Sequence, residues 1–266
     1  MSHSLTMKDD LGDTLRESAV RKITQEVICG DCLEYMKTLP DKSFDLVLTD
    51  PPYGTTGIDW DVVVPFDKLW SELARVGKDD CVFVLFSSQP FTTDLINSKR
   101  GWFRYEWIWE KDRPSGIALS AYRPMKYHEN IIVFSKETPR YFPIFWKGDK
   151  DHRSGRRVGL SNAKSQPNME VKHKRENDGE KYPPSVIFCN KVNNTLNNHP
   201  TEKPTELLSY LIQTYSKESD TILDPFLGSG TTLVACKQLN RNGVGVEISA
   251  EYCDIAKKRL EQSTLL

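Results

Sequence analysis

The sequence predicts an α/β fold, a doubly wound and mostly parallel sheet interrupted by one long polar insertion. Three observations carry this. Short apolar runs alternate with stretches of helical spacing, the pattern of strand–helix units. The runs are continuous rather than alternating, as in strands covered on both faces. Asp50, Asp224 and Glu247 each stand directly after such a run, where sheets of this class place their reactive groups.

Residues 1–22 show no sustained periodicity and read as a mobile N-terminal arm, with 23–266 as a single domain. Phe44–Leu48 (FDLVL) ends in polar and Pro-rich residues and predicts a buried strand. Phe66, Leu69, Trp70, Leu73 and Val76 recur at helical spacing. Cys81–Phe86 (CVFVLF) predicts a second strand. Trp102–Trp109 and Asn130–Phe134 predict two more, separated by a polar loop around Arg113–Lys126. From Pro139 to Pro200 aliphatic residues are scarce, so this stretch reads as an insertion rather than sheet. Leu207, Leu208, Leu211, Ile212 and Tyr215 then mark a helix beginning just after Pro204. Thr221–Leu223 and Gly243–Val246 predict strands around a helix over Thr231–Leu239, and a last helix covers roughly Ala250–Glu261.

Bulk properties narrow the function. A chain of 266 residues with 38% hydrophobic content can bury one sizeable core. No apolar run approaches the roughly 18 residues needed to cross a bilayer. The polar, acidic start MSHSLTMKDDLGD lacks the layout of a secretory leader, so a cytoplasmic protein without a membrane partner is expected. Six cysteines stand at 29, 32, 81, 189, 236 and 253. The Cys29–Cys32 pair has no second pair at zinc spacing, so free thiols and no metal are expected. Net charge is only −1, but Pro139–Pro200 holds twelve Lys and Arg against six Asp and Glu, leaving −7 for the remainder. A basic segment on an acidic body is the footprint of local phosphate contact. Within it Arg153, Arg156, Arg157, Lys172, Lys174 and Arg175 could reach phosphates or guanine edges. Asn193, Asn194, Asn197 and Asn198 carry the amides that pair with adenine in the major groove.

Two motifs carry the chemistry. Asp224-Pro-Phe-Leu-Gly-Ser-Gly-Thr-Thr232 follows a strand and opens a helix. Its glycines at 228 and 230 let backbone approach a ligand closely. About twenty residues on, a strand ends at Glu247, an acid able to accept both hydrogen bonds of a ribose diol. Leu233 breaks the dinucleotide G-x-G-x-x-G spacing, and no GK[ST] follows for a P-loop. Asp50-Pro51-Pro52-Tyr53 is the second motif. Its prolines stiffen the segment and fix the direction of the Pro51 carbonyl. Two acceptors, Asp50 and that carbonyl, beside an aromatic face suit an amine conjugated to a ring. Accepting its hydrogens favours a pyramidal nitrogen with an available lone pair, and Tyr53 can stack on the ring.

With Gly30-Asp31-Cys32-Leu33 upstream and His199-Pro-Thr-Glu-Lys-Pro204 between them, these motifs make the chain resemble the DNA amino-methyltransferases (adenine N6 and cytosine N4). The resemblance is to the beta class, in which DPPY precedes the target-recognition region and the cofactor motif comes last. It covers about residues 25 to 261. It implies a Rossmann-like methyltransferase fold with a seven-stranded sheet, and 139–200 as target-recognition region. It further implies S-adenosyl-L-methionine as cofactor, held by Asp224, Phe226, Gly228, Ser229, Gly230, Thr231 and Glu247. Asp31 would lie near its adenine and Cys32 would also bind the cofactor, with Lys203 and Pro204 closing over its methionine part. Glu202 departs from the glutamine more usual at that point, and only a small effect is expected. Asp at the first position of the tetrapeptide usually accompanies adenine N6, and Ser cytosine N4. Double-stranded DNA is the implied substrate, and a homodimer and a cognate restriction endonuclease remain open as partners.

The implied reaction is an in-line displacement at a sulfonium methyl with a neutral leaving group. It rests on alignment and amine polarisation and needs no metal. A base inside a duplex cannot reach such a pocket and must be flipped out, and the loop Thr55–Asp61 could close over it. The competing readings are cytosine N4, an RNA or protein-amide substrate, and a DNA-binding protein with a decayed site. Asp50 in place of the Asn usual in protein-directed relatives argues against the amide, and the intact motifs argue against decay.

Overall fold

The computed structural model describes residues 23–54, 62–147, 180–192 and 202–262. The N-terminal arm and the loop Thr55–Asp61 lie outside the described residues. So do all six proposed DNA contacts, Arg153, Arg156, Arg157, Lys172, Lys174 and Arg175, and the asparagines from 193 to 198.

Strand β1 (Gln25–Cys29) leads into helix α1 (Cys32–Thr38), whose first turn is capped by Asp31 accepting from the Glu34 N–H at 2.9 Å. Strand β2 (Phe44–Thr49) is buried at every position, as its unbroken apolar run predicts. In α2 (Phe66–Val76) the residues at helical spacing, Leu69, Trp70, Leu73 and Val76, are the buried stripe. The chain then passes through β3 (Gly77–Ser87), α3 (Phe91–Ser98), β4 (Phe103–Ser115) and β5 (Lys126–Ser135). The short strands β6 (Trp146–Lys147) and β7 (Glu180–Lys181) pair with each other, and β8 (Val186–Phe188) follows. Helix α4 (Thr205–Tyr215), β9 (Thr221–Asp224), α5 (Thr231–Gln238), β10 (Asn242–Glu247) and α6 (Ala250–Gln262) complete the chain.

The main sheet runs β1-β10-β9-β2-β3-β5-β4-β8, parallel from β1 to β3 and antiparallel at β3–β5 and β5–β4. One face packs Leu46, Leu48, Val82 and Val84 against Leu207, Leu211 and Tyr215 of α4 and Cys236 of α5. The other packs Val47, Phe83 and Leu85 against Leu73 of α2, Leu95 of α3 and Met36 of α1. Two covered faces are why the strands carry no alternation.

Among the described residues the sheet has eight strands where seven are expected. The additional one is β8, which lies inside the region read as pure insertion and pairs in parallel with β4 from Ile108 to Glu110. Three apolar residues set no period, yet the free backbone edge of a long strand gives them partners. The insertion's first residues also join the body. Arg140 pairs with Asp45 at 3.2 Å and Asp220 at 2.9 Å, and the Phe142 N–H donates to the Thr214 carbonyl at 2.8 Å. The polar loop expected over Arg113–Lys126 is shorter too, because the β4–β5 ladder continues to Ser115 and Lys126.

Gly230 starts α5 with a φ of +88°, and a Cβ there would meet the Cβ of Ala256 on α6 at 2.7 Å. Gly230→Ala should therefore combine left-handed strain with overpacking and cost about 2–4 kcal/mol. For a domain of this size that is a fall of roughly 5–15 °C in Tm. A thermal melt superimposable on the parent's would show that α6 does not seat on this turn.

Candidate active site

The carboxyl ends of four adjacent parallel strands carry four of the acidic residues singled out from the sequence. Gly30-Asp31 follows β1, Glu247 ends β10, Asp224 ends β9, and Asp50 follows β2. One cavity of about 590 Å³ runs along this edge, lined at one end by Asp31, Cys32 and Glu247 and at the other by Asp50, Trp109 and Glu129. It falls in the size range of small-molecule sites.

Asp224 holds the centre. Its oxygens accept from the Thr49 and Thr232 hydroxyls, each at 2.6 Å, and from the Phe226 N–H at 3.1 Å. Burial pushes its carboxyl up to about 6, with the Thr232 and Thr49 hydrogen bonds opposing the shift. The geometry makes Asp224 a clamp on the protein itself. Glu247 is similarly oriented, its two oxygens accepting from the Gly228 and Ser249 N–H groups, both at 2.8 Å. A carboxylate has about four lone-pair sites, so this orientation leaves acceptor capacity toward the cavity.

The glycine turn has a further fastening. From α6, Arg259 donates to the Ser229 carbonyl at 2.9 Å, the Ser229 hydroxyl at 2.8 Å and the Thr231 hydroxyl at 3.0 Å, and pairs with Glu202 at 2.8 Å. Glu202 therefore ties the segment before α4 to the glycine turn. Arg259 belongs to no motif with chemistry of its own, and Thr49 opens the TDPPYG segment (49–54) without a role that sequence alone assigns.

At the other end, both oxygens of Asp50 are engaged. The Tyr53 hydroxyl donates to Oδ1 at 2.5 Å, and the Lys203 ammonium bonds Oδ2. Lys203 Nζ also lies 3.6 Å from Glu129 Oε2, while Glu129 Oε1 accepts from Lys111 at 2.5 Å. Burial pushes the Asp50 carboxyl up, opposed by the Lys203 ammonium. Burial alone would lower Lys203, but the Asp50 and Glu129 carboxylates outweigh it and hold the ammonium above its usual range. Glu129 sits below the usual carboxylate range because Lys203 and Lys111 outweigh its burial. Phe86 and Trp109 supply apolar wall, and the Tyr53 ring packs on Phe91 with centroids 5.0 Å apart.

Of the expected site residues, Asp31, Cys32, Asp50, Pro51, Pro52, Tyr53, Lys203, Asp224, Phe226, Gly228, Ser229, Thr231 and Glu247 all line this cavity. Gly230 and Pro204 do not: the first packs on α6 and the second caps α4. Asp31 also serves as the cap of α1, and burial pushes the Cys32 thiol up to about 12. Among the described residues no three His, Cys, Asp or Glu side chains gather to hold a metal ion, and no helix is long and apolar enough to cross a membrane.

Comparison with known proteins gives the same picture. The type II methyltransferase M.HpaI of Haemophilus parainfluenzae is 30% identical over 251 residues, covering 89% of this chain and 74% of that protein. The DNA adenine methyltransferase YhdJ of Escherichia coli is 28% identical over 88% of this chain and 82% of its own. A crystal structure of an M1.HpyAVI–SAM complex superposes with a TM-score of 0.62 at 25% identity, over 89% of this chain and 99% of that one. The cytosine-N4-specific PvuII DNA methyltransferase, at 17% identity and a TM-score of 0.65 over 91% of this chain and 90% of its own, shares the fold. The sequence pattern of the DNA methylase family matches residues 44–258, and with DPPY and the glycine turn opening into one cavity, the chain belongs to that family.

Proposed function

We propose that the protein is a site-specific DNA methyltransferase that moves the methyl group of S-adenosyl-L-methionine to the exocyclic amine of a flipped base, with adenine N6 as its target. The observation that carries this reading is the single cavity joining the Glu247-anchored glycine turn to the Asp50-Pro51-Pro52-Tyr53 segment.

When bound, the cofactor supplies an electrophilic methyl group on a sulfonium whose departure leaves a neutral thioether. The residues present fit it. Glu247 keeps acceptor capacity for a ribose diol, Gly228 and Ser229 bring backbone close, and Asp31 and Cys32 line the cavity end beyond, where the adenine would lie. Asp224 contributes by holding the turn in place. At the other end Asp50 and the Pro51 carbonyl would accept the hydrogens of the target amine, and Tyr53 and Trp109 would flank its ring. Catalysis then rests on alignment and on acceptors fixed in advance.

The choice of adenine draws on Asp50 at the first position of the tetrapeptide and on the activity named for YhdJ. Duplex DNA would lie over the cavity mouth, its sequence read by the basic insertion. The turn between β4 and β5 faces the same side, with Tyr122 88% exposed beside Arg123 and Ile117 67% exposed. Arg113 at its base donates to the Lys191 and Val192 carbonyls, where the insertion rejoins the body. An exposed aromatic and apolar tip on a basic hairpin suits contact with unstacked bases.

Digested DNA from an expressing strain should contain added N6-methyladenine by mass spectrometry. Added N4-methylcytosine in its place would transfer the target to cytosine. For the cofactor, Glu247→Ala removes the diol acceptor and orphans two backbone N–H groups, and Gly228→Val forces a branched side chain onto a φ of +56°. Both should weaken S-adenosylmethionine binding by about ten-fold or more in calorimetry. Unchanged dissociation constants would place the cofactor elsewhere.

A further inference from the structure

Lys203 faces two carboxylates and satisfies only one. Its ammonium bonds Asp50 Oδ2, while Glu129 Oε2 stands 3.6 Å away, buried and without a hydrogen-bond partner among the described residues. The other oxygen of Glu129 is fixed by Lys111, which also donates to Ser115 at 3.3 Å. Each Asp50 oxygen already holds one donor, Tyr53 on Oδ1 and Lys203 on Oδ2, and keeps its second lone-pair site for a ligand. A target amine that uses Asp50 as acceptor therefore shares the carboxylate's charge with a full ammonium, and is accepted more strongly once that ammonium moves away.

We propose that Glu129 is a positioning residue that draws the Lys203 ammonium off Asp50 when the target amine enters, so that Lys203 works as a two-position latch. The inference rests on the assignment of Asp50 as amine acceptor. Closing the 3.6 Å gap to the roughly 2.8 Å of a charge-assisted bond is a small movement for a flexible lysine tip. The tip lies over the Phe86 ring, 5.1 Å from its centroid, and that contact leaves it free to slide between carboxylates. The two positions are balanced. With Lys203 on Asp50, Glu129 Oε2 is the unsatisfied buried atom; with Lys203 on Glu129, the vacancy moves to Asp50 Oδ2. An amine N–H arriving at Asp50 fills that vacancy and so favours the second position. In the empty site the latch keeps a catalytic carboxylate from being buried without a cation, and once substrate binds it frees the acceptor.

The test is a double-mutant cycle of Glu129→Gln and Lys203→Met in the full-length protein. It is read by single-turnover methyl transfer to DNA, with S-adenosylmethionine affinity measured by calorimetry on every variant. Glutamine keeps the shape of residue 129 but loses the charge that attracts the ammonium, so Lys203 stays on Asp50. Glu129→Gln should slow transfer by about ten-fold or more, in proportion to the fraction of sites with Asp50 free, with cofactor affinity within about two-fold of the parent. In the Lys203→Met background, Glu129→Gln should change the rate by less than about two-fold, because there is no ammonium left to receive. This second comparison stands even if Glu129→Gln alone does not fold, since the double variant removes one charge of each sign. A Glu129→Gln enzyme with the parent's rate would overturn the proposal, as would an equal further loss in the Lys203→Met background. Failure of Asp50→Ala to impair the enzyme would instead remove the assignment beneath it.

Discussion

The site depends on one buried carboxylate. Asp224 at the end of β9 accepts from Thr49 at the end of β2, 175 residues earlier in the chain, and from Thr232 at the start of α5. Parallel pairing of β2 with β9 makes this reach possible. A carboxylate taken out of water is costly unless it is hydrogen-bonded, and two hydroxyls and one N–H supply its donors here. The same three bonds fix the exit of β2, where Asp50 begins, against the turn that would hold the cofactor. The proposed donor and acceptor halves of the reaction are thus held in register by a contact within the protein itself.

Outward from that contact the charges come in linked pairs. Arg259 and Glu202 bind the glycine turn to the segment that delivers Lys203, and Lys203 in turn reaches Asp50 and Glu129. Two carboxylates and two ammoniums, Asp50, Glu129, Lys203 and Lys111, make a neutral cluster. Removing any one would leave an uncompensated charge in an apolar setting walled by Phe86 and Trp109. Such a cluster keeps the acceptor groups in place before a substrate arrives, which is the condition for electrostatic catalysis.

Much of this is legible in the sequence because the central strands and the motifs obey local rules. Phe44–Leu48 and Cys81–Phe86 are the apolar runs read as strands, and α2 shows its buried stripe at helical spacing. Asp50, Asp224 and Glu247 follow strands and fall on one edge of the sheet. What is not legible depends on contacts distant in sequence. Glu129 sits in KYHENIIVF and looks like a strand-edge charge until β5 folds antiparallel to β3 and brings its start to the cavity. Arg259 reads as a solvated helix residue, and Thr49 as the polar end of a strand. Strand β8 is three residues long and exists by pairing with β4 rather than by any pattern of its own. Gly230 belongs to a ligand motif by spacing, yet its backbone serves the packing of α6.

With Asp50 proposed to meet the target amine and the Glu247 end of the cavity to hold the cofactor, the two functions should separate in one variant. Asp50→Ala, assayed in parallel for single-turnover methyl transfer and for S-adenosylmethionine binding by calorimetry, tests this directly. Losing one preorganised acceptor should lower transfer on the order of 10²–10³-fold. Lys203 keeps Glu129 as a partner in this variant, so the dissociation constant for the cofactor should stay near the parent's. Turnover close to the parent's would remove Asp50 from the chemistry, and a loss of cofactor affinity as large as the loss of rate would contradict the division of the cavity.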